Sequence, residues 1–313
     1  MSIKNILIEK MVEKGLSESS IKNYIRNLEL LNNGDELKSL SFLKKKDEII
    51  NKLSDKKPNT KRSYLIAIVS ALSVLDDKKN AKLYDFYYNQ MMEMNKTLKE
   101  VEKSNEKSDA QKENWIEKDE IDNKLNDLVK SVEEFPKSVN EKQYNTVLQM
   151  IILSLYVLQS PRRNADYQFM NVVKDKVPDD KINFLVYDKK QFWFRKYKTA
   201  KSELKDKNEL IVDINDKLFK NIELYFKYHP LIKGKKINAK DEIAFLVNYQ
   251  GEPLLNVNSI TLIINRIFGK KIGSSMLRHL YVSHKYGDIL QEMKEDSKDM
   301  SHSLEMQKDY IKN

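Results

Sequence analysis

Apolar residues recur at helical spacing through most of the first hundred residues. One stripe follows the candidate N-cap residues at 17–20 and comprises Ile21, Tyr24, Ile25, Leu28 and Leu31. Another begins at Pro58 and comprises Tyr64, Leu65, Ile68, Leu72 and Leu75. Shorter amphipathic stretches lie at 6–11, 42–53 and 83–101. A period near 3.6 predicts amphipathic helices, so residues 1–103 are expected to form a small helical domain.

The polar run at 103–109 interrupts this periodicity. Such runs between periodic segments are typical of linkers, and we expect a linker at 104–113 and a second domain at 114–313. Helical patterns return there at 117–134, 141–158, 218–228 and 260–268, and continue to the C-terminus. Three short β-branched or aromatic runs, at 183–187, 191–194 and 209–212, predict strands. The expected fold is therefore mainly α with a small antiparallel β-sheet.

Composition excludes several classes of function. The 313 residues carry a net charge of +9 and no cysteine, which excludes disulfides, thiol nucleophiles and Cys-rich zinc modules. The seven glycines form no nucleotide-binding motif. The longest apolar run, 150–158, is too short to span a bilayer, and no signal core follows the N-terminus. We expect an intracellular protein that is not secreted and has no membrane partner, and the positive charge favours a polyanionic partner.

Four local features of the second domain fit one reaction. They are SPRRNADY at 160–167, RKYKTAK at 195–201, SSMLRHL at 274–280, and MSHS at 300–303 followed by YIKN at 310–313. Together they resemble the tyrosine recombinase (phage-integrase-like) family, whose catalytic residues are Arg, Lys, His-x-x-Arg, His or Trp, and Tyr in that order. The corresponding residues here are Arg163, Lys198, Ser275, Arg278, His302 and Tyr310. The stretch at 244–254 also resembles the segment that precedes the His-x-x-Arg helix in relatives. The residues of the first motif are most similar to those of viral and mobile-element members.

This resemblance implies a site-specific recombinase or integrase. Such an enzyme would cleave and rejoin double-stranded DNA through a covalent 3′-phosphotyrosyl intermediate, as a homotetramer on DNA, without a cofactor or metal. The N-terminal helices would be the family's core-binding domain, and the two domains would close around the duplex. The cytoplasm, the nucleus or a viral factory would be the place of action.

Each expected role has a physical reason. Phosphoryl transfer builds negative charge on the non-bridging oxygens, which the guanidiniums of Arg163 and Arg278 would bind through charge-assisted hydrogen bonds. Tyr310 would be the nucleophile and Lys198 the general acid that protonates the leaving 5′ oxygen. His302 would hydrogen-bond the phosphate or a proton carrier.

Two of these assignments have close rivals in the sequence. Arg162 adjoins Arg163, which we prefer because an acid, Asp166, follows it at the family's spacing. Lys196 and Lys201 lie near Lys198, and either Lys198 or Lys201 would serve as the general acid.

The chain also departs from the family pattern. Ser275 occupies the usual histidine position, where it can donate a hydrogen bond but cannot shuttle a proton near neutral pH. Only three residues follow Tyr310, whereas many relatives carry a helix there that docks on a neighbouring subunit. Either the subunits contact one another differently or the sequence is a truncation of a longer chain, and the source of subunit contacts is open.

Basic residues elsewhere are candidates for DNA binding. They are Lys22, Lys61, Arg62, Lys196, Lys201, Lys270 and Lys271, with Lys189 and Lys190 as further phosphate contacts. If they bind phosphates, affinity should fall steeply with salt.

Other functions share part of this signature. A type IB topoisomerase uses the same chemistry to relax DNA, and a DNA-binding relative with weakened catalysis would keep the basic surface but not the turnover. Pro178-Asp179 with Glu203 and Lys205 formally matches a magnesium-dependent nuclease motif, which a chain with 33% charged residues produces by chance. A zinc site from His279, His284 and His302 lacks the usual ligand spacing.

Overall fold

The computed structural model of the protein describes residues 2–75, 78–103, 107–178, 182–200 and 209–311. The chain divides into two compact units, Met1–Lys107 and Ser108–Asn313. Each unit has its own hydrophobic core, and the structure is mainly helical. Within the described residues, no helix combines the length and apolar character that a bilayer crossing requires.

The first unit is a bundle of helices, as the apolar stripes predicted. Its helices are α1 (Ile3–Glu13), α2 (Glu18–Leu31), α3 (Lys46–Ser54), α4 (Pro58–Leu75) and α5 (Ala81–Lys103), with short 3-10 turns at Ser41–Lys44 and Lys78–Asn80. Ser17 caps α2 by accepting a hydrogen bond from the Ser20 amide. The α4 helix packs against α1, α2 and α5, because its apolar positions surround most of its circumference.

The second unit is organised around one buried helix. Its helices are α6 (Asp109–Glu113), α7 (Lys118–Glu133), α8 (Glu141–Val157), α9 (Asn164–Gln168), α10 (Asp216–Phe226), α11 (Ser259–Phe268), α12 (Ser274–Asp299) and α13 (Leu304–Tyr310). A capping box between Asn140 and Gln143 starts α8. Helices α7, α10, α11 and α12 all pack against α8, so α8 is the central element of this core.

The described residues form a mixed sheet in the order β4-β3-β2-β1-β5. The strands are β1 (Met170–Val173), β2 (Asn183–Val186), β3 (Gln191–Phe194), β4 (Leu210–Asp213) and β5 (Ile243–Ala244). The predicted strands β2, β3 and β4 pair antiparallel as expected.

The prediction of a purely antiparallel sheet is wrong, because β1 runs parallel to β2 and β5 is added antiparallel at the edge. Neither β1 nor β5 was predicted from the sequence. Three of the four β1 residues are buried, so β1 shows no alternation of apolar and polar positions, and β5 is only two residues long.

Candidate functional site

Two of the four motif segments meet at Tyr156, which lies near the end of α8 and is 1% exposed. Its hydroxyl donates to Asn164 Oδ1 at 2.5 Å, next to Arg163. The Ser274 side chain and the Arg278 charge lie close enough to act on this hydroxyl. Burial raises the pKa of Tyr156 above its usual range, which the Arg278 guanidinium and the Ser274 side chain oppose. Tyr156 therefore joins the Arg163 segment to the start of α12.

The two adjacent arginines have different environments. Arg162 Nε donates to Asp166 Oδ2 at 3.0 Å, and its guanidinium lies 4.5 Å from the Phe194 ring centroid and 4.6 Å from that of Tyr197. Burial raises the pKa of the Asp166 carboxyl, and the charge of Arg162 opposes that rise. Arg162 thus lies at the edge of the core, held by one ion pair and two aromatic rings, and its Nη2 atom is buried without a hydrogen-bond partner among the described residues.

Arg163 is the N-cap residue of α9 and is half-buried. Its guanidinium makes no ion pair with any residue that the structure describes. Of the neighbouring pair, Arg162 is the one whose guanidinium is committed to an ion pair.

Arg278 lies at the start of α12, close to Ser275. Arg278 Nη2 donates to Ser275 Oγ at 3.0 Å, while Arg278 Nε is buried and has no acceptor in the described part of the chain. The N-cap residue of α12 is Gly273, which provides no side-chain cap, and the first turn of the helix has no acidic residue. Unpaired amides and the positive end of the helix dipole therefore lie beside a guanidinium, an environment that favours an anion.

The turn that carries Lys198 is fixed by the buried Asn183 at the start of β2. The Asn183 side chain donates to the carbonyls of Asp166 (2.9 Å) and Lys196 (3.0 Å). Its oxygen accepts from the amides of Arg195 (3.0 Å) and Lys196 (2.9 Å). These four bonds tie the turn after β3 to the arginine segment. Lys198 is exposed in this turn, and the rival Lys201 lies outside the described residues.

His302 and Tyr310 form a second group beyond the end of α12. The chain turns at Ser301, whose φ is 56°, and the His302 amide donates to the Ser297 carbonyl at 3.0 Å, which is a Schellman-type helix end. The rings of His302 and Tyr310 lie 5.6 Å apart between centroids. His302 Nε2 is buried without a hydrogen-bond partner among the described residues, whereas Tyr310 is 67% exposed.

The residues around Arg163 and Arg278 are far from His302 and Tyr310 within one chain. The α12 helix is continuous from Ser274 to Asp299, and at 1.5 Å per residue its end lies about 31 Å along the axis from Arg278. The structure thus brings Arg163, Lys198, Ser275 and Arg278 to one end of α12 and holds His302 and Tyr310 at the other. The single pocket expected from the resemblance is not formed within one copy of the chain.

The predicted DNA-binding residues that the structure describes lie in both units. In the first unit, Lys22 lies on α2, and Lys61 and Arg62 lie in the first turns of α4. There Arg62 lines an open polar cleft whose other lining residues include Ser19, Ser20, Asn23, Asn59 and Ser63. Arg62 Nε also donates to Asn95 Oδ1 at 2.5 Å.

In the second unit, Lys196 is exposed in the turn that also carries Lys198. Lys271 is exposed, but Lys270 donates to the Trp115 carbonyl at 3.1 Å and lies 4.0 Å from Glu120. The Lys270 ammonium is therefore engaged inside the fold. Lys189 and Lys190 lie over the Trp193 and Phe219 rings at 4.7 and 4.8 Å from their centroids.

Sequence reasoning missed Tyr156 and Asn183, the two residues that join the motif segments. Tyr156 lies in an apolar run and had no local signal. Asn183 had a local signal, since it is a polar residue that opens an otherwise apolar strand. In the structure its side chain is 2% exposed. A buried amide almost always has hydrogen-bond partners, so it marked a tertiary contact whose partner was unknown.

The rival metal sites have no counterpart in the described part of the chain, where no three His, Cys, Asp or Glu residues come together as a metal site. His284 packs edge-on against Trp115 with ring centroids 6.2 Å apart. Asp179, Glu203 and Lys205 of the nuclease motif lie outside the described residues.

The chain was compared with protein-family models, with curated proteins and with solved structures. None of the three comparisons finds a match.

Proposed function

We propose that the protein cleaves and rejoins double-stranded DNA through a covalent 3′-phosphotyrosyl intermediate, as a site-specific tyrosine recombinase or integrase. The observation that carries the proposal is the junction at Tyr156, where two arginine segments distant in sequence converge. A chance match of short motifs would give no reason for these segments to meet.

The arginine end of α12 is suited to bind a phosphodiester. Arg163 has no ion pair among the described residues, and Arg278 has a buried Nε without an acceptor there. Two guanidiniums beside an uncapped helix N-terminus offer several N–H donors to the oxygens on which charge accumulates in the transition state.

The reaction assigns one step to each remaining residue. The Tyr310 oxygen attacks phosphorus, the bond from phosphorus to the 5′ oxygen breaks, and the free 5′ hydroxyl takes its proton from Lys198. The phenol proton passes to solvent or to His302, whose ring adjoins Tyr310. Rejoining is the reverse, so the bond energy is conserved and no nucleotide is consumed.

Ser275 has a definable part in this scheme. Its hydroxyl accepts from Arg278 Nη2 at 3.0 Å, so the serine orients the guanidinium although it cannot replace a proton-shuttling histidine. Proton transfer therefore rests on Lys198 and His302.

DNA affinity in this proposal comes from lysine–phosphate contacts. Lys22, Lys196 and Lys271 are exposed, and no hydrogen bond or ion pair with a described residue engages their side chains. The logarithm of the association constant should fall by about 0.9 per decade of salt for each phosphate contact, and a flat response would contradict this part of the proposal.

Trapping of the covalent intermediate tests the proposal. A pool of nicked duplexes of randomised sequence, labelled upstream of the cleavage point, is incubated with the full chain in EDTA and resolved under denaturing conditions. The wild type should give a labelled protein–DNA adduct, and Tyr310→Phe should give none. Tyr88→Phe, which alters a partly exposed tyrosine of the first unit, is the matched control and should keep the adduct.

The other outcomes separate the alternatives. Magnesium-dependent cutting without an adduct would indicate a nuclease, and binding without cutting a DNA-binding relative. An adduct that persists in Tyr310→Phe would reject the assigned nucleophile.

A further inference from the structure

The outer part of α12 carries an apolar stripe that its own chain does not cover. Val282, Tyr286, Ile289 and Met300 are 53%, 46%, 53% and 62% exposed, and Met293 is half-buried. These positions follow one another at intervals of four, three, four and seven residues, with Asp296 filling the last gap. Alternating spacings of three and four make the narrow seam of a two-helix coiled coil, so the stripe calls for another helix.

Charge and register point to a second copy of α12 running antiparallel. When Ile289 faces Met293 of the second copy, Val282 faces Met300 of that copy and the Tyr286 hydroxyl faces the Asp296 carboxylate. Each contact occurs twice about the two-fold axis, as an isologous interface requires. The polar residue in the stripe thus acquires a hydrogen-bond donor.

Lys285, Glu292 and Asp299 border the stripe on the same side at seven-residue intervals. Antiparallel pairing brings Lys285 of one copy beside Asp299 of the other and sets Glu292 beside Glu292 at the two-fold axis, so this flank gives two pairs of opposite charge and one pair of like charge. Parallel pairing would instead set Lys285 beside Leu290 and Tyr286 beside Tyr286, leaving Asp296 against Asp296. Close pairs of like charge are unfavourable in a coiled-coil seam.

The same register completes the divided site. It brings His302 of one copy level with Leu280 of the other, which is about 3 Å along the axis from Arg278 at 1.5 Å per residue. We propose that two copies of the chain pair antiparallel through α12 and that Tyr310 of each copy serves the Arg163–Arg278 end of the other. The pairing is argued from the exposed stripe and its register and does not depend on the proposed function, whereas the exchange of Tyr310 rests on the proposed function.

The competing arrangement keeps the site within one copy. Gly287 lies in the middle of α12, and no described atom comes within 4 Å of the point where a Cβ would stand. A glycine is where an exposed helix bends at least cost. A break there would fold His302 and Tyr310 back towards their own Arg278. The two arrangements differ in which copy supplies the tyrosine.

Cysteine cross-linking tests the pairing, because the chain has no cysteine of its own. In Val282→Cys/Met300→Cys the two thiols of one helix lie about 27 Å apart, so a disulfide between them must join two copies. Mild oxidation should yield a disulfide dimer with the double variant and little with either single variant. A dimer from Val282→Cys alone would indicate parallel pairing, and no dimer from the double variant would reject the interface.

A charge inserted in the seam gives an independent readout in solution. Ile289→Asp should lower the dimer affinity by at least tenfold in sedimentation equilibrium. Gln291→Asp adds the same charge on the opposite side of α12 and should leave it within about threefold. Equal affinities for the two variants would contradict the pairing, whether or not the protein cleaves DNA.

Mixing two inactive variants tests the exchange. Arg278→Ala lacks the clamp and Tyr310→Phe lacks the nucleophile, so neither alone should form an adduct. Equal amounts of the two variants reassociate at random, so half of the dimers are mixed. Each mixed dimer has one of its two sites intact, so about a quarter of the wild-type adduct should return. All of it should be on the Arg278→Ala chain, which a size tag identifies. A wild-type adduct without recovery in the mixture would reject exchange but keep the proposed function, whereas no wild-type adduct would reject the proposed function itself.

Discussion

Helices α8 and α12 lie in the same unit but differ sharply in how they are held. Ten of the 17 residues of α8 are buried, whereas only three of the 26 residues of α12 are. Both helices contribute to the candidate site, α8 through Tyr156 and α12 through Arg278. Apolar burial stabilises roughly in proportion to area, so the fold fixes the arginine end firmly and leaves the end with Tyr310 free to engage something outside its own unit.

The largest expected effect compares one isoleucine from each helix. Ile151 on α8 is 0% exposed and Ile289 on α12 is 53% exposed. Ile151→Ala should lower the free energy of unfolding by about 2–5 kcal/mol because it leaves a cavity, and Ile289→Ala by no more than about 0.5 kcal/mol. Urea denaturation at a protein concentration below the dimer dissociation constant measures both. Similar losses would mean that α12 is held as tightly as α8.

A second expected effect concerns how the free energy of unfolding depends on pH through the buried His229. His229, fully buried after α10, accepts from the Leu231 amide at 3.2 Å through Nδ1 and contacts the Ala244 carbonyl at 3.0 Å through Nε2. Burial lowers the pKa of His229 to about 4, so the unfolded chain binds the proton first. Stability should therefore be complete above pH 6.5 and should fall by about 3 kcal/mol as the pH drops to 4.

The control variant for this prediction lies on α12, the exposed helix of the comparison. His229→Gln should lose most of that dependence, while His279→Gln, an exposed change on α12, should keep it. Urea titrations from pH 4 to 7 give the two curves, and an unchanged slope in His229→Gln would assign the dependence to other groups.

The smallest expected effect is that of Gly287→Ala. Alanine should stabilise an exposed helix interior by up to about 1 kcal/mol relative to glycine, seen as a small gain in helicity by circular dichroism. If α12 stays straight and acts on a second copy, adduct formation should be unchanged. A marked loss of adduct would favour a bend at Gly287 and a site within one copy.

Much of the fold was predictable because local periodicity determines which face of an element is buried. The stripe at Ile21, Ile25, Leu28 and Leu31 predicted α2, and the apolar runs at β2, β3 and β4 predicted their antiparallel pairing. The parallel neighbour β1 was missed because a strand buried on both faces shows no alternation. The sequence singled out Arg163 over Arg162 through the position of Asp166, whereas in the structure that carboxylate pairs with Arg162, so the choice between the two arginines stays a prediction.

The sequence by itself determined the helical stripes and the core strands, and it named the candidate groups for the proposed reaction, since these depend on residue type and short spacing. Only the tertiary structure decided that Tyr156 and Asn183 join the motif segments, and that α12 separates Arg278 from Tyr310. Hydrogen bonds between distant residues and the persistence of a helix depend on what packs around them, and that information is spread over the whole chain.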